Sequence, residues 1–292
     1  MSQSSVSQSK PRLLITGGSS YLGQALVPLA VATFETCYTY FSHDPQLDKR
    51  ATAVQLDLRQ SEQVHRLIDR WQPQIIIHLA GSNRTADMYA VITKGTQTIT
   101  AAAPHARLIF ISSDVVFDGY HAPYDESAPP QPRHEYGRAK AAAEQIVARH
   151  PNHVIIRTSL IYGFHAVDRG TQWMMAALKK GETVTLFNNQ WRNPIAAETL
   201  SQACLELATH SYIGILNVAG DEVLTRADYA LKLLDWWQFD KRENLNIAPA
   251  PADAPWPPNT TLTIDRAKNL LQTPLKGLTE ILRTLTKTSF KT

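Results

Sequence analysis

The chain has 292 residues, 43% hydrophobic and 19% charged, a composition suited to one large globular α/β domain with a smaller lobe attached. A net charge of +3, with basic pairs only at places such as Lys179-Lys180 and Lys241-Arg242, argues against a nucleic-acid partner. No apolar run is long enough to span a bilayer, so a soluble, cytoplasmic protein without a membrane partner is expected.

The first ten residues, MSQSSVSQSK, are polar without an apolar stretch, and are read as a disordered tail and not a signal peptide. Arg12–Thr16 is then a buried strand, ended by the glycines of TGGSSYLG, and a helix is expected over Tyr21–Thr33. Pro28 falls inside that helix and predicts a kink or an early end. Strands follow at Thr36–Phe41, Ala53–Leu56, Ile75–Leu79, Leu108–Ser112 and Val154–Thr158. Several are nearly continuous apolar runs, as strands covered on both faces require. Helices alternate with them at Ser61–Trp71, Tyr89–Ala103 and Glu135–Arg149. This rhythm predicts a Rossmann-type, doubly wound parallel sheet over 11–165.

Past Gly163 the rhythm changes. Helices are expected at Trp173–Lys180, Glu198–Thr209 and Arg226–Trp237, with strands at Thr183–Phe187 and Ile213–Val218. Five prolines in Pro249–Pro258 make an extended connection. Residues 166–292 are read mainly as a substrate-binding lobe, with helix 198–209 packing back on the first domain. Cys37 and Cys204 are read as buried thiols, and the ten histidines lack metal-ligand spacing, so no metal is expected.

TGGSSYLG lies between a strand and a helix, where Gly17 permits a tight turn and Gly23 a close helix–sheet approach. The helix N-terminus offers N–H groups to a pyrophosphate, although Ser20 replaces the middle glycine of the usual pattern. In Tyr136-Gly-Arg-Ala-Lys140 a four-residue step stacks tyrosine and lysine on one helical face. The ammonium is expected to lower the phenol pKa, making Tyr136 a proton donor near neutral pH. Ser113 follows a strand's C-terminal end, where open sheets bind ligands, and can polarise the same substrate oxygen.

These segments resemble an extended short-chain dehydrogenase/reductase, and within it the dTDP-4-dehydrorhamnose reductase family. TGGSSYLG, Asp57-Leu58, HLAG at His78–Gly81, ISSDVVFDG at Ile111–Gly119, YGRAK at Tyr136–Lys140 and IIRTSLIYG at Ile155–Gly163 match in order. QWRNP at Gln190–Pro194 and GILNVAG at Gly214–Gly220 are also similar. The resemblance implies an NAD(P)H-dependent reductase of a 4-keto sugar nucleotide, with Ser113, Tyr136 and Lys140 catalytic. It places Gly17, Ser19, Ser20, Tyr21, Leu22 and Gly23 around the pyrophosphate, and Asp57 and Leu58 beside the adenine. Ala80 and Gly81 would follow the ribose-phosphate, while Lys140 holds the nicotinamide ribose. Asp57 as a turn cap and Ala80-Gly81 as a strand exit are the alternatives. Phe117, Gln190 and Arg192 are the candidate substrate contacts, Arg192 being either a diphosphate fork or a surface arginine on Trp191. Ser42 and His43 end the second strand where a ribose-selecting carboxylate would stand, with Asp44 just beyond, so a mild preference for NADP(H) over NAD(H) is expected, with use of both open.

Two departures bear on activity. Ile92 occupies the place of an asparagine that in the superfamily supports the lysine and a proton-relay water, and Ser113 and Val115 stand where the rhamnose reductase pattern tends to have threonine and tyrosine; Val115 also breaks the Asp-Glu pair that dehydratases carry. Dehydration is therefore not expected. A cofactor-binding regulatory subunit similar to the methionine adenosyltransferase β subunit, or a sugar-nucleotide epimerase, are the alternatives. The sequence leaves a homodimer or a monomer open.

Overall fold

The computed structural model describes residues 9–81 and 87–285; most of the polar tail, residues 1–8, lies outside them. Seven parallel strands form the main sheet: β1 (Arg12–Thr16), β2 (Glu35–Tyr40), β3 (Thr52–Gln55), β4 (Ile75–His78), β5 (Arg107–Ile111), β6 (His153–Arg157) and, from far later in the chain, β11 (Gly214–Asn217). The spatial order is β11-β6-β5-β4-β1-β2-β3, so the strand order reverses between β1 and β4. In open parallel sheets that reversal opens a crevice beyond the strands' carboxyl ends. The fold expected from the sequence is borne out.

Helices α1 (Tyr21–Ala30), α2 (Ser61–Trp71), α3 (Met88–Ala102) and α4 (Glu135–Val147) connect the first six strands. Alternation along each strand sends side chains to opposite faces. Leu13 and Ile15 of β1 join Leu26 and Val27 of α1, whereas Leu14 joins Ile92 and Ile99 of α3. The helix expected to reach Thr33 stops at Ala30, two residues past Pro28, which cannot donate the hydrogen bond that a helix interior needs.

The second half supplies β7 (Ile161–Tyr162), α5 (Arg169–Lys179), β8 (Val184–Phe187), β9 (Trp191–Arg192), β10 (Ile195–Ala196), α6 (Ala197–Thr209), β12 (Leu224–Thr225), α7 (Arg226–Trp236), β13 (Leu245–Ala248), α8 (Asp265–Leu270) and α9 (Leu278–Thr284). Helix α6 packs against α1, placing Leu200, Cys204 and Leu207 in the same core as Leu26. Met174 and Leu178 of α5, Leu186 of β8 and Leu234 of α7 form a separate small core. The short pairs β7–β10 and β9–β12 escape sequence reading because two-residue strands carry no periodicity. Helix α5 begins four residues before the expected Trp173, because the Asp168 carboxylate caps it by accepting from the N–H groups of Gly170 and Thr171.

Cys37 and Cys204 are both fully buried, which pushes each thiol up to about 12. Among the described residues no cluster of His, Cys, Asp or Glu could hold a metal, and no helix is long and apolar enough to cross a membrane.

Candidate functional site

Three cavities run end to end along the crevice. The first, about 300 Å³, lies over the carboxyl ends of β1 and β2 and is bordered by Gly17, Asp57, Ala80 and Phe41. The second, about 340 Å³, shares Ser20, Gly81 and Arg169 with it and continues to Tyr136 and Lys140. The third, about 280 Å³, shares Ser113, Tyr136, Ser159 and Leu160 with the second and reaches into the smaller lobe.

The glycine loop fits a dinucleotide. Gly17 has φ of +76°, and a Cβ there would stand 2.9 Å from the Ala80 backbone. A Cβ on Gly23 would meet the Gly18 carbonyl oxygen at 2.5 Å. Both positions therefore need glycine for the loop to lie this close to the sheet. Ser20, which weakens the motif in sequence, is the N-cap of α1: its hydroxyl accepts from the Gly23 N–H at 3.1 Å. The N–H groups of the first turn, at Tyr21 and Leu22, have no intrahelical acceptor, and both residues border the second cavity. Ser19 borders the first.

At the far end, Asp57 both lines the cavity and caps its own turn, accepting from the Arg59 backbone N–H at 2.9 Å. Leu58 lies beside it. Arg59 was missed by sequence reading. Its guanidinium bonds Asp57 twofold, pairs with Asp87 and stands 6.0 Å from the Phe41 ring. Ser42 and His43, expected to contact the cofactor, are exposed and outside the cavity wall, where Thr39, Tyr40 and Phe41 stand instead. Strand β2 ends one residue earlier than expected and carries the chain outward, while Asp44 turns back to accept from the Tyr38 hydroxyl at 2.7 Å.

In the middle of the crevice, Ser113 and Tyr136 line both adjoining cavities, with Lys140 behind them. Ser113 Oγ donates to Asp114 Oδ1 at 3.2 Å. Asp114 Oδ2 in turn accepts from Ser159 and Thr260, both at 2.8 Å. Lys140 Nζ is 5.8 Å from the Tyr136 ring centre and donates to the Ile111 carbonyl at 2.9 Å. Burial pulls the lysine down to about 8, with the Glu144 carboxylate opposing. The phenol is not lowered, contrary to the sequence expectation. Burial raises it above the ordinary tyrosine value, and the Asp114 charge adds to the rise.

Ile92 is fully buried and sits beside this pair: a Cβ on Gly81 would lie 2.9 Å from Ile92 Cγ1 and 3.5 Å from Lys140 Nζ. The nearby polar chain Thr16–His78–Thr96 links β1, β4 and α3 at 2.6 and 3.1 Å. His78 is pulled to about 3 by burial and by Lys140, so its ring is neutral.

The substrate-side expectations divide. Phe117 is a core residue, 1% exposed, stacked on Tyr124 at 4.1 Å with the Arg157 guanidinium over its ring, and it borders neither cavity beside Tyr136. Gln190 is also buried and lines a separate hollow behind Trp256. Arg192 borders the third cavity, but it is not a surface arginine on Trp191: it is 2% exposed and donates to the carbonyls of Trp191, Pro257 and Pro258. Arg169 and Arg226, which no motif singled out, line the crevice as well.

The RmlD substrate binding domain family matches residues 11–289 of this chain. A dTDP-4-keto-6-deoxy-D-glucose reductase from Streptomyces niveus is 30% identical over 218 residues, 70% of this chain and 72% of that protein. The methionine adenosyltransferase 2 subunit beta of Mus musculus is 27% identical over 279 residues, 89% of this chain and 82% of that one. The crystal structure of a hypothetical dTDP-4-dehydrorhamnose reductase from Sulfolobus tokodaii superposes with a TM-score of 0.79 at 29% identity, covering 91% of this chain and 97% of that chain.

Proposed function

Because this chain belongs to the RmlD substrate binding domain family, among extended short-chain dehydrogenase/reductases related to the dTDP-4-dehydrorhamnose reductases, it is an NAD(P)-dependent oxidoreductase, and we propose that it reduces a 4-keto sugar nucleotide. The observation that carries the proposal is the shared wall of the second and third cavities, where Ser113 and Tyr136 border both the groove that continues from the glycine loop and the pocket that reaches into the smaller lobe.

Gly17, Ser19, Ser20, Tyr21, Leu22 and Gly23 hold the pyrophosphate, Asp57 and Leu58 the adenine, and Ala80 and Gly81 the connecting ribose-phosphate. When bound, the nicotinamide supplies a hydride to the carbonyl carbon. Tyr136 gives its proton to the carbonyl oxygen, with the Lys140 ammonium 5.8 Å from its ring centre. Ser113 orients that oxygen, itself held by Asp114. Lys140 holds the ribose hydroxyls and stabilises the phenolate that remains. Val115, an apolar neighbour of Asp114, offers no second acid–base group, so the site reduces without dehydrating.

Tyr136→Phe should lower turnover by about 10²–10⁴-fold, the usual worth of a general acid, while NADPH affinity stays within about twofold. Lys140→Ala should weaken both. The assay is stoichiometric oxidation of NAD(P)H with a panel of nucleotide-linked keto sugars. Conversion of an unoxidised sugar nucleotide with no net cofactor change would instead mark an epimerase.

NADP(H) is the preferred cofactor in this proposal. No carboxylate from the end of β2 faces the cavity, Asp44 being turned to Tyr38, and Arg59 stands at the adenine end. Arg59→Ala should raise the NADPH dissociation constant by about tenfold and leave that of NADH nearly unchanged, by fluorescence titration. A tighter wild-type constant for NADH reverses the assignment.

Ile92 beside Lys140 favours one second reading, a cofactor-binding subunit of another enzyme. An isoleucine there offers no partner to a relay water. Cofactor binding without oxidation by any sugar nucleotide, together with a stable partner enzyme, would select it.

A further inference from the structure

The third cavity holds two guanidinium groups with opposite fates. Arg192 is committed to the protein: Nη1 donates to Trp191 O at 2.7 Å, Nη2 to Pro257 O at 2.8 Å, and Nε lies 3.7 Å from Asp114 Oδ2. It pins the proline-rich connection to the cavity wall. Arg226, the first residue of α7, is set beside it by the β9–β12 pair, its own N–H bonding Gln190 O at 2.8 Å. Its side chain borders the same cavity and remains partly exposed. Among the described residues its guanidinium forms no hydrogen bond or ion pair. Asp114, the one carboxylate on this wall, is already taken by Ser159, Thr260 and Ser113.

A half-buried guanidinium without partners is costly unless a ligand completes it. We propose that Arg226, and not Arg192, is the specificity-determining residue that binds a phosphate of the substrate's nucleoside diphosphate. The identity of that anion rests on the reductase proposal above; the presence of an anion site does not. The five N–H groups of arginine match a phosphate two at a time, and Tyr136 and Ser113 line the same cavity. The phosphate bound to Arg226 thereby holds the attached sugar in the space between the guanidinium and the phenol. Burial pulls Arg226 below the ordinary arginine value, with Tyr229, Asp114 and Asp168 opposing.

The test uses the full chain saturated with NADP⁺, titrated with UDP, dTDP, inorganic pyrophosphate and, as a carboxylate control, glucuronate. The wild type should bind the diphosphates and not glucuronate. Arg226→Gln should weaken UDP and dTDP by about 10–150-fold, the loss of one charge-assisted interaction. Arg226→Lys should recover part of that loss, and NADPH affinity should remain as in the wild type in both variants, which also shows that they fold. Unchanged diphosphate affinity in Arg226→Gln, or a wild type that binds none of the diphosphates at millimolar concentration, overturns the proposal. Glucuronate in place of diphosphate overturns the phosphate assignment. If diphosphates bind through Arg226 while no keto sugar nucleotide oxidises NADPH, the reductase proposal fails and the anion site stands.

Discussion

Lys140 shows how one residue's surroundings set the pH range of a site. Burial lowers it to about 8, so its charge is present below that pH and disappears above it. Since kcat/KM reports the free enzyme, it should fall by about tenfold per pH unit above the break. Lys140→Arg, if it retains activity, should abolish the alkaline decline, because guanidinium does not titrate there. The sign for stability is opposite. The folded lysine binds fewer protons than the unfolded one between about 8 and the ordinary value of 10.5, so folding gains stability as pH rises through that window. The phenol behaves differently from the simplest sequence argument. A Tyr-x-x-x-Lys spacing predicts proximity correctly, but it carries no information on desolvation, and the lysine's nearest acceptor is a backbone carbonyl on β5.

At the scale of elements, the sequence made the long pieces legible and hid the short ones. Ser61–Trp71 matches α2 at both ends, because its apolar residues recur at helical spacing. The glycine loop and the Tyr136–Lys140 step were legible because spacing alone defines them. Arg59, Arg169 and Arg226 were not: Arg59 lies between two elements and the other two open helices, so no motif marks them and only tertiary folding brings them to the crevice. Phe117 and Arg192 sit in segments that do border the site, yet their side chains turn into the protein. Another such turn inward is the buried pair of Glu144 on α4 and Arg157 on β6, 2.8 Å apart and 5% and 1% exposed. Ser112 Oγ also donates to Glu144, at 2.5 Å. The pair locks the helix that carries Tyr136 and Lys140 to the sheet. Glu144→Ala leaves a buried guanidinium without its carboxylate and should cost about 3–5 kcal/mol, read from urea denaturation. Leaving cofactor chemistry intact in the residual folded protein would separate this anchoring from catalysis.

The whole molecule is interwoven along the sequence. Strand β11 completes the main sheet beside β6, and α6 covers the face on which α1 lies. Leu216, Leu262 and Leu275 share a core with Leu13 and Ile15. A chain ending at residue 165, a boundary suggested by motif content, would leave this face uncovered. It should be insoluble or bind dye as a loosely packed state, whereas the full chain should unfold with the cofactor protecting both halves together. A soluble fragment with native NADPH affinity would show that the late elements are dispensable.

The covering of α1 by α6 also has a consequence during synthesis. The first strands and the glycine loop leave the ribosome early, but the helix that shields their apolar face is still untranslated. Roughly 170 more residues must be added, which takes about 8–35 seconds at ordinary elongation speeds. For that interval Leu26 and its neighbours on α1 have no native cover, and the nascent chain needs either a chaperone or a temporary non-native burial. Ribosome-bound chains stalled before and after residue 209 should differ sharply in protease resistance of the first half, with protection arising only once α6 has emerged.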